Sequence, residues 1–231
     1  SAFYGSGLKR VEFTYNDEMV NNGDRGEELY RCEIQSNAFQ KCSSLSSLSL
    51  SENIRRIEYQ AFDGCSSLEN VELPGKLEYL GYYVFRGTAI KKVTIPKTVN
   101  DVDYNYGDGS NGPFAGALNL KEVTFEEGMQ TIPSYILASN AYTSGVSKIV
   151  IPSTVKTIEY EAFAGCDGLV GIELPEGITE IGNGAFMKCT SLESIVLPKK
   201  LKVLGNSAFY GSGLKRVEFT YNDEMVNNGD R

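Results

Sequence analysis

Histidine and tryptophan are absent from this chain of 231 residues, and cysteine occurs only five times. Without histidine the chain lacks both the commonest general base and the commonest metal ligand at neutral pH. An odd number of cysteines does not imply a closed disulfide framework. Positive charge is scarce as well: 22 Lys and Arg stand against 30 Asp and Glu, a formal charge of -8. A partner held through its phosphates needs clustered cations, so nucleic acid is not an expected partner. No apolar run reaches membrane-spanning length, and the N-terminal stretch lacks the layout of a secretion signal, so no membrane insertion is expected in this segment. There is no Ser-His or Cys-His pair, no phosphate-cradling glycine loop with lysine and no unique carboxylate pair. The expectation is therefore a protein that is not an enzyme, with no catalytic residues, no cofactor and no metal.

With 41% hydrophobic and 23% charged residues, the composition is that of an ordinary globular chain able to bury a core. The organisation is repetitive. The stretch SAFYGSGLKRVEFTYNDEMVNNGDR at Ser1 to Arg25 recurs letter for letter at Ser207 to Arg231, an offset of 206 residues. Inside that long period runs a shorter one. Apolar residues that mark strand ends stand at Phe13, Leu50, Leu73, Ile95, Phe125, Ile151, Leu174, Leu197 and Phe219, many of them 22 or 23 residues apart. Residues 1–231 therefore read as one solenoid segment: a period of eight units, plus a 25-residue overlap into the next.

Each unit changes periodicity along its length. The apolar-x-apolar step alternates as a half-buried strand does, with β-branched residues such as Val93 and Ile95 or Ile149 and Ile151. Pro74, Pro96, Pro152, Pro175 and Pro198 then end the strand where a missing N–H does little harm. Apolar residues three apart follow, such as Val155 and Ile158, and then an Ala-Phe pair at 162–163 or 185–186. No amphipathic stretch of ten residues fits between them, so the return path is expected to be extended or a single turn. Such a coil cannot bury its apolar side alone, and stacking neighbours buries it continuously.

The stretches SENIRRIEYQAFDGCSSLENVELP (Ser51 to Pro74) and PSTVKTIEYEAFAGCDGLVGIELP (Pro152 to Pro175) resemble the BspA-type, or Treponema-type, leucine-rich repeat, whose units carry an A-F-x-x-C-x-x-L block. The resemblance covers nearly the whole chain. It implies a β-rich right-handed solenoid of coils with short parallel strands and little helix. It also implies a surface-exposed or secreted binding protein, extracellular or at the cell surface. The chain departs from the pattern where Glu126 replaces the proline, where Ile136-Leu137 replaces Ala-Phe, and where three units carry insertions.

Cys42, Cys65, Cys166 and Cys189 share one place in their units, which Thr88, Ala117 or Ser212 fill elsewhere. A slot that accepts all of these is small and buried, and the thiol is expected to bond a carbonyl of an adjacent coil. Coil spacing leaves a Cys42 to Cys65 or Cys166 to Cys189 disulfide open. Cys32 lies in an insertion and is the one thiol expected to be reactive. The run from Asp101 to Gly112 opens like a calcium loop, but it has Tyr106 where that loop needs Gly and no closing Glu, so no calcium site is expected.

Two sets of residues are candidates for protein binding. The residue between the two inward strand positions points outward, giving a column of Glu12, Ser49, Glu72, Thr94, Thr124, Val150, Glu173, Val196 and Glu218. Its four glutamates are poorly explained by β-propensity alone. The insertions Tyr15 to Cys32, Asp101 to Gly112 and Ser139 to Ser147 add Tyr104, Tyr106 and Tyr142, a residue type favoured at interfaces. The expected function is protein–protein interaction or adhesion, with a matrix or surface protein as partner. A stalk or filament array is the alternative, with head-to-tail self-association of the chain; an engineered repeat would also give a verbatim duplication.

Overall fold

The computed structural model describes residues 2–13, 32–104, 111–141 and 143–219. Among them the regular elements are fifteen short strands, with no helix. The chain winds into a solenoid of parallel strands, one turn for each of the sequence units.

One line of strands forms what is called here the strand face. It comprises β1 (Arg10–Glu12) paired with β3 (Ser47–Ser49), β6 (Lys92–Ile95) with β8 (Glu122–Phe125) and β10 (Lys148–Val150), and β13 (Ser194–Leu197) with β15 (Arg216–Phe219). Every pair is parallel and in repeat register, so that Val93 lies beside Val123, and Val123 beside Ile149. Side chains alternate inward and outward: in β6 and β13, residues Val93, Ile95, Ile195 and Leu197 are buried while Thr94 and Val196 are exposed.

The return path is more regular than its sequence indicates. It carries two further four-stranded parallel sheets, β2 (Cys32–Ile34), β4 (Ile54–Ile57), β5 (Tyr79–Leu80) and β7 (Asp101–Val102), then β9 (Thr131–Ile132), β11 (Thr157–Ile158), β12 (Glu180–Ile181) and β14 (Val203–Leu204). Two-residue strands have no detectable period. Most are fixed by an inward apolar residue, such as Leu80, Ile132, Ile158 or Ile181, all fully buried; in β14, the last of its sheet, both Val203 and Leu204 are exposed.

Between the return strand and the strand face, the chain turns two corners in the left-handed region. The first holds Asn37, Gln60, Tyr83, Tyr135, Glu161, Gly184 or Ser207; the second is usually glycine, as at Gly64 (φ 75°) and Gly165 (φ 72°). At Gly165 the reason is also steric, since a Cβ there would sit 2.6 Å from the Ser139 carbonyl oxygen. A non-glycine residue in this conformation costs about 1–2 kcal/mol, so the first corner persists only because the packed coil on either side dictates it.

The core is one continuous cluster from Ile34 to Ala208. Phe39, Phe62, Phe85, Phe163 and Phe186 line it, and Phe62, Phe85, Phe163 and Phe186 are wholly inaccessible. The cysteine slot behaves as its residue choice indicates. Cys42 Sγ donates to the Phe3 carbonyl at 3.0 Å, Cys65 Sγ to that of Phe39 at 3.2 Å and Cys189 Sγ to that of Phe163 at 3.2 Å, each in an adjacent coil. Thr88 differs, its hydroxyl turning to the Phe85 carbonyl of its own coil at 2.8 Å. All five cysteines are free thiols and only Cys32 is exposed, so neither disulfide left open by the spacing is formed.

Candidate protein-interaction face

The outward column on the strand face is real as geometry. Glu12 stands beside Ser49, Thr94 beside Thr124, Thr124 beside Val150, and Val196 beside Glu218, each pair in parallel register. The column is not an unbroken ladder. Residues 70–73 and 171–174 lie where the third and seventh strands should be, yet no strand forms there, and their backbone N–H and C=O groups make no hydrogen bond to either neighbouring coil. The sequence supplies a reason. At the first strand position the paired coils carry Arg10, Ser47, Lys92, Glu122, Lys148, Ser194 and Arg216, whereas the two unpaired coils carry Asn70 and Gly171. Asn and Gly are both poor strand formers, and each is followed two residues on by an exposed glutamate, Glu72 and Glu173.

Each break opens a groove. The first, about 380 Å³, runs between Val71, Glu72 and the neighbouring Lys92, Thr94, Glu122 and Thr124. The second, about 530 Å³, is lined by Lys148, Val150, Ile172, Glu173, Ser194 and Val196. Charge differs between them. Glu122 sits between Lys92 at 3.0 Å and Lys148 at 3.1 Å, and hydrogen bonds from these two ammonium groups hold its carboxyl below the usual range. Glu72 and Glu173 are in no ion pair among the described residues, and exposed Val150 and Val196 flank Glu173.

The one described tyrosine candidate, Tyr104, does not join this face. Tyr104 follows β7 on the return sheet, where its ring stacks on Tyr135 with centroids 3.7 Å apart. Tyr106 and Tyr142 lie outside the described residues. Sequence reasoning overlooked the rest of this tyrosine edge: Tyr59 stacks on Tyr82 at 5.1 Å, and Tyr135 meets Tyr160 at 5.4 Å. The shared signal was a Tyr two residues after the return-strand apolar residue in Tyr59, Tyr82, Tyr104 and Tyr160. Their faces are largely occupied by one another, so this edge is packing first.

Among the described residues no three Cys, Asp or Glu side chains gather where a metal could be held, and no helix is long and apolar enough to cross a membrane. In the Asp101 to Gly112 run, the Asp103 carboxylate accepts the N–H of the next residue, Tyr104, at 2.8 Å, and the Asn111 side-chain Oδ1 accepts the Ala141 N–H of the following coil at 3.1 Å.

Comparison with known proteins agrees with this architecture. The model of the BspA type leucine rich repeat region matches six copies over residues 31–112 and 139–229. Among solved structures, a leucine-rich repeat protein from Bacteroides ovatus is 23% identical, with a TM-score of 0.51 over 81% of this chain and 58% of that one. A leucine-rich repeat protein from Eubacterium ventriosum is 25% identical with a TM-score of 0.45, over 81% of this chain and 51% of that one. A leucine rich cell surface protein from Faecalibacterium prausnitzii is 22% identical with a TM-score of 0.35, over 98% of this chain and 77% of that one. The Bacteroides likeness is one of fold, and the chain spans little more than half the length of the Bacteroides and Eubacterium proteins. No curated protein sequence matches the chain. The stacked units, the buried Phe and Cys slots and the matched repeats together place the chain in the BspA-type leucine-rich-repeat family.

Proposed function

We propose that this segment is a non-enzymatic binding module of an extracellular or cell-surface repeat protein, and that it engages a protein partner across the strand face at its two breaks. The observation that carries the reading is the pair of unpaired stretches, 70–73 and 171–174, each with an exposed glutamate at its centre. Backbone donors and acceptors that a regular solenoid would consume internally are here available to another chain, as in recognition by strand-type pairing. Glu72 and Glu173 give the breaks a negative bias that selects a partner with basic side chains and steers its approach, while Glu12 and Glu218, each paired with the arginine two residues before it, extend the column as polar contacts. Thr94 and Thr124 supply neutral polar contacts between them. Family membership supports the surface setting and the interaction role. The insertion tyrosines Tyr104, Tyr106 and Tyr142 are the alternative contact set, of which Tyr104 has one ring face already stacked on Tyr135.

The test is binding of the immobilised chain to purified matrix proteins and solubilised cell-surface proteins, read by mass spectrometry and then by titration. The expected result is a partner whose affinity falls with salt and drops at least tenfold in the Glu72→Lys/Glu173→Lys double variant. Retained affinity in that variant, with loss in Tyr104→Ala, would move the site to the insertions; loss in neither would refute both surfaces.

A further inference from the structure

The two return sheets are not continuous with each other: among the described residues β7 ends one and β9 begins the next, with no ladder between them. Across that seam lies the closest aromatic pair of the tyrosine edge. Rings in the same place of successive coils stand one coil apart, as Tyr59 and Tyr82 do at 5.1 Å and 6° from parallel. Tyr104 and Tyr135 lie at 3.7 Å and 17°, closer than the about 4.8 Å between neighbouring strands. A change of position within the unit explains it. Tyr104 comes two residues after the inward Val102 of its return strand, whereas Tyr135 comes three after Ile132, at the left-handed corner with φ 59°. The two phenols are hydrogen-bonded to each other, so the hydroxyls share one side of the stack and the ring carbons next to them face one another. A third ring leads outward. Tyr160, 43% exposed, meets Tyr135 at 5.4 Å. Glu161 stands beside both Tyr160 and Tyr135, a carboxylate placed to take the proton that a phenol gives up as it loses an electron.

We propose that Tyr104 and Tyr135 are an oxidative modification site, joined through the ring carbons next to their hydroxyls when the segment meets hydrogen peroxide and a one-electron oxidant of the peroxidase class. Each phenol loses one electron and one proton, and the two neutral radicals couple in a carbon–carbon bond. Each coupled carbon then passes its hydrogen to its own ring oxygen, which restores both phenols. The peroxide takes up the two electrons and two protons and leaves as two molecules of water. Tyr160 is the point of entry: an oxidant too large to reach Tyr135 takes the electron from the exposed ring, which is refilled from Tyr135. Tyr160 is itself a poor coupling partner, because its ring is tilted by 57° from that of Tyr135. The bond closes a loop between residues 31 apart and fastens the seam that the backbone ladders leave open. A closed loop restricts the unfolded chain, so the product is more stable than its parent. The site is independent of the proposed binding face, which lies on the other strands.

The test treats the full chain, at low concentration, with a haem peroxidase and limiting hydrogen peroxide. Products are followed by dityrosine fluorescence, intact mass and mass spectrometry of the digest. The expected product is a monomer lighter by two hydrogens, in which the Tyr104 and Tyr135 peptides are joined in several-fold excess over Tyr59 with Tyr82, and whose melting temperature is raised by several degrees. Tyr104→Phe and Tyr135→Phe keep the stacked ring without the hydroxyl, and each should remove that product while melting close to the unaltered chain. Tyr160→Phe should slow its formation several-fold and leave the joined pair the same; an unchanged rate would overturn the entry role of Tyr160. Cross-links spread over the tyrosines without preference, the same product in Tyr104→Phe, or joining only between molecules overturns the modification site.

Discussion

The aromatic core runs differently in the two halves of the solenoid although the slot is the same. In the first half Phe39, Phe62, Phe85 and Phe114 occupy successive coils, and adjacent rings lie 5.3–5.8 Å apart within 2–15° of parallel. In the second half Leu137 takes the slot below Phe163. Phe163, lacking a ring beneath it, leans over Phe125 of the strand face at 51°, and Phe186 meets it at 52°. One coil later order returns, with Phe209 at 14° to Phe186. A misfit in one coil is thus absorbed by the coils nearest to it. This is what nearest-neighbour coupling between stacked repeats predicts.

The comparison can be broken most directly by removing rings. Phe62→Ala and Phe186→Ala are each expected to cost about 3–5 kcal/mol in denaturant unfolding, since both side chains are wholly inaccessible. The two costs should agree within about 1.5 kcal/mol, because burial dominates and both parallel-offset and tilted pairs are favourable geometries. A larger gap would mean that ring angle, and not burial, sets the stability of the column.

A smaller effect would sharpen it. Leu137→Phe alone is expected to cost about 1–3 kcal/mol by overpacking, because Ile136 occupies space that an alanine leaves free in most other coils, including the next one at Ala162. Adding Ile136→Ala should recover most of that loss and bring Phe163 toward parallel with its new neighbour. Melting curves and a crystal structure of the double variant check both statements. If the double variant is no more stable than the single one, the tilt of Phe163 has another origin.

The smallest effect is alkaline. Burial pushes the Cys65 and Cys189 thiols from 9.0 up to about 12, one in each half. The folded state therefore holds these protons more tightly than the unfolded chain does. That stabilisation is complete below pH 9 and is lost as pH rises toward 12. Replacing both by serine, a residue this slot already holds at Ser212, should flatten the fall in melting temperature above pH 9. Below it, both thiols should resist alkylation while exposed Cys32 reacts at once. Equal rates at Cys32 and Cys65 would show that the slot opens.

Seven of the nine strand positions, the Phe slot and the thiol-to-carbonyl bonds were legible in the sequence because each recurs in phase with the unit. The return sheets were not, since Thr157–Ile158 or Glu180–Ile181 are too short to show a period. Nor was the stack of Tyr104 on Tyr135, whose partners are 31 residues apart and meet only because the coils do. The first left-handed corner escaped notice because Gln60, Tyr83 and Glu161 share no side-chain property; their conformation is imposed by the coil. The breaks at Asn70 and Gly171 could have been foreseen. Those two residues stand out at the first strand position once the units are aligned.

The backbone ladders of both kinds of sheet join one coil to the next, never distant parts of the stack. Their bonds lie along the stacking direction. A load applied to the two ends would therefore meet coils in series, and the weakest junction would peel before its neighbours. A coil of 23 residues, such as that from Leu169 to Leu192, would release up to roughly 75–80 Å of extended chain in exchange for about 4.8 Å of stack. Under tension the segment would act as an extensible tether that lengthens in discrete steps and rewinds one turn at a time.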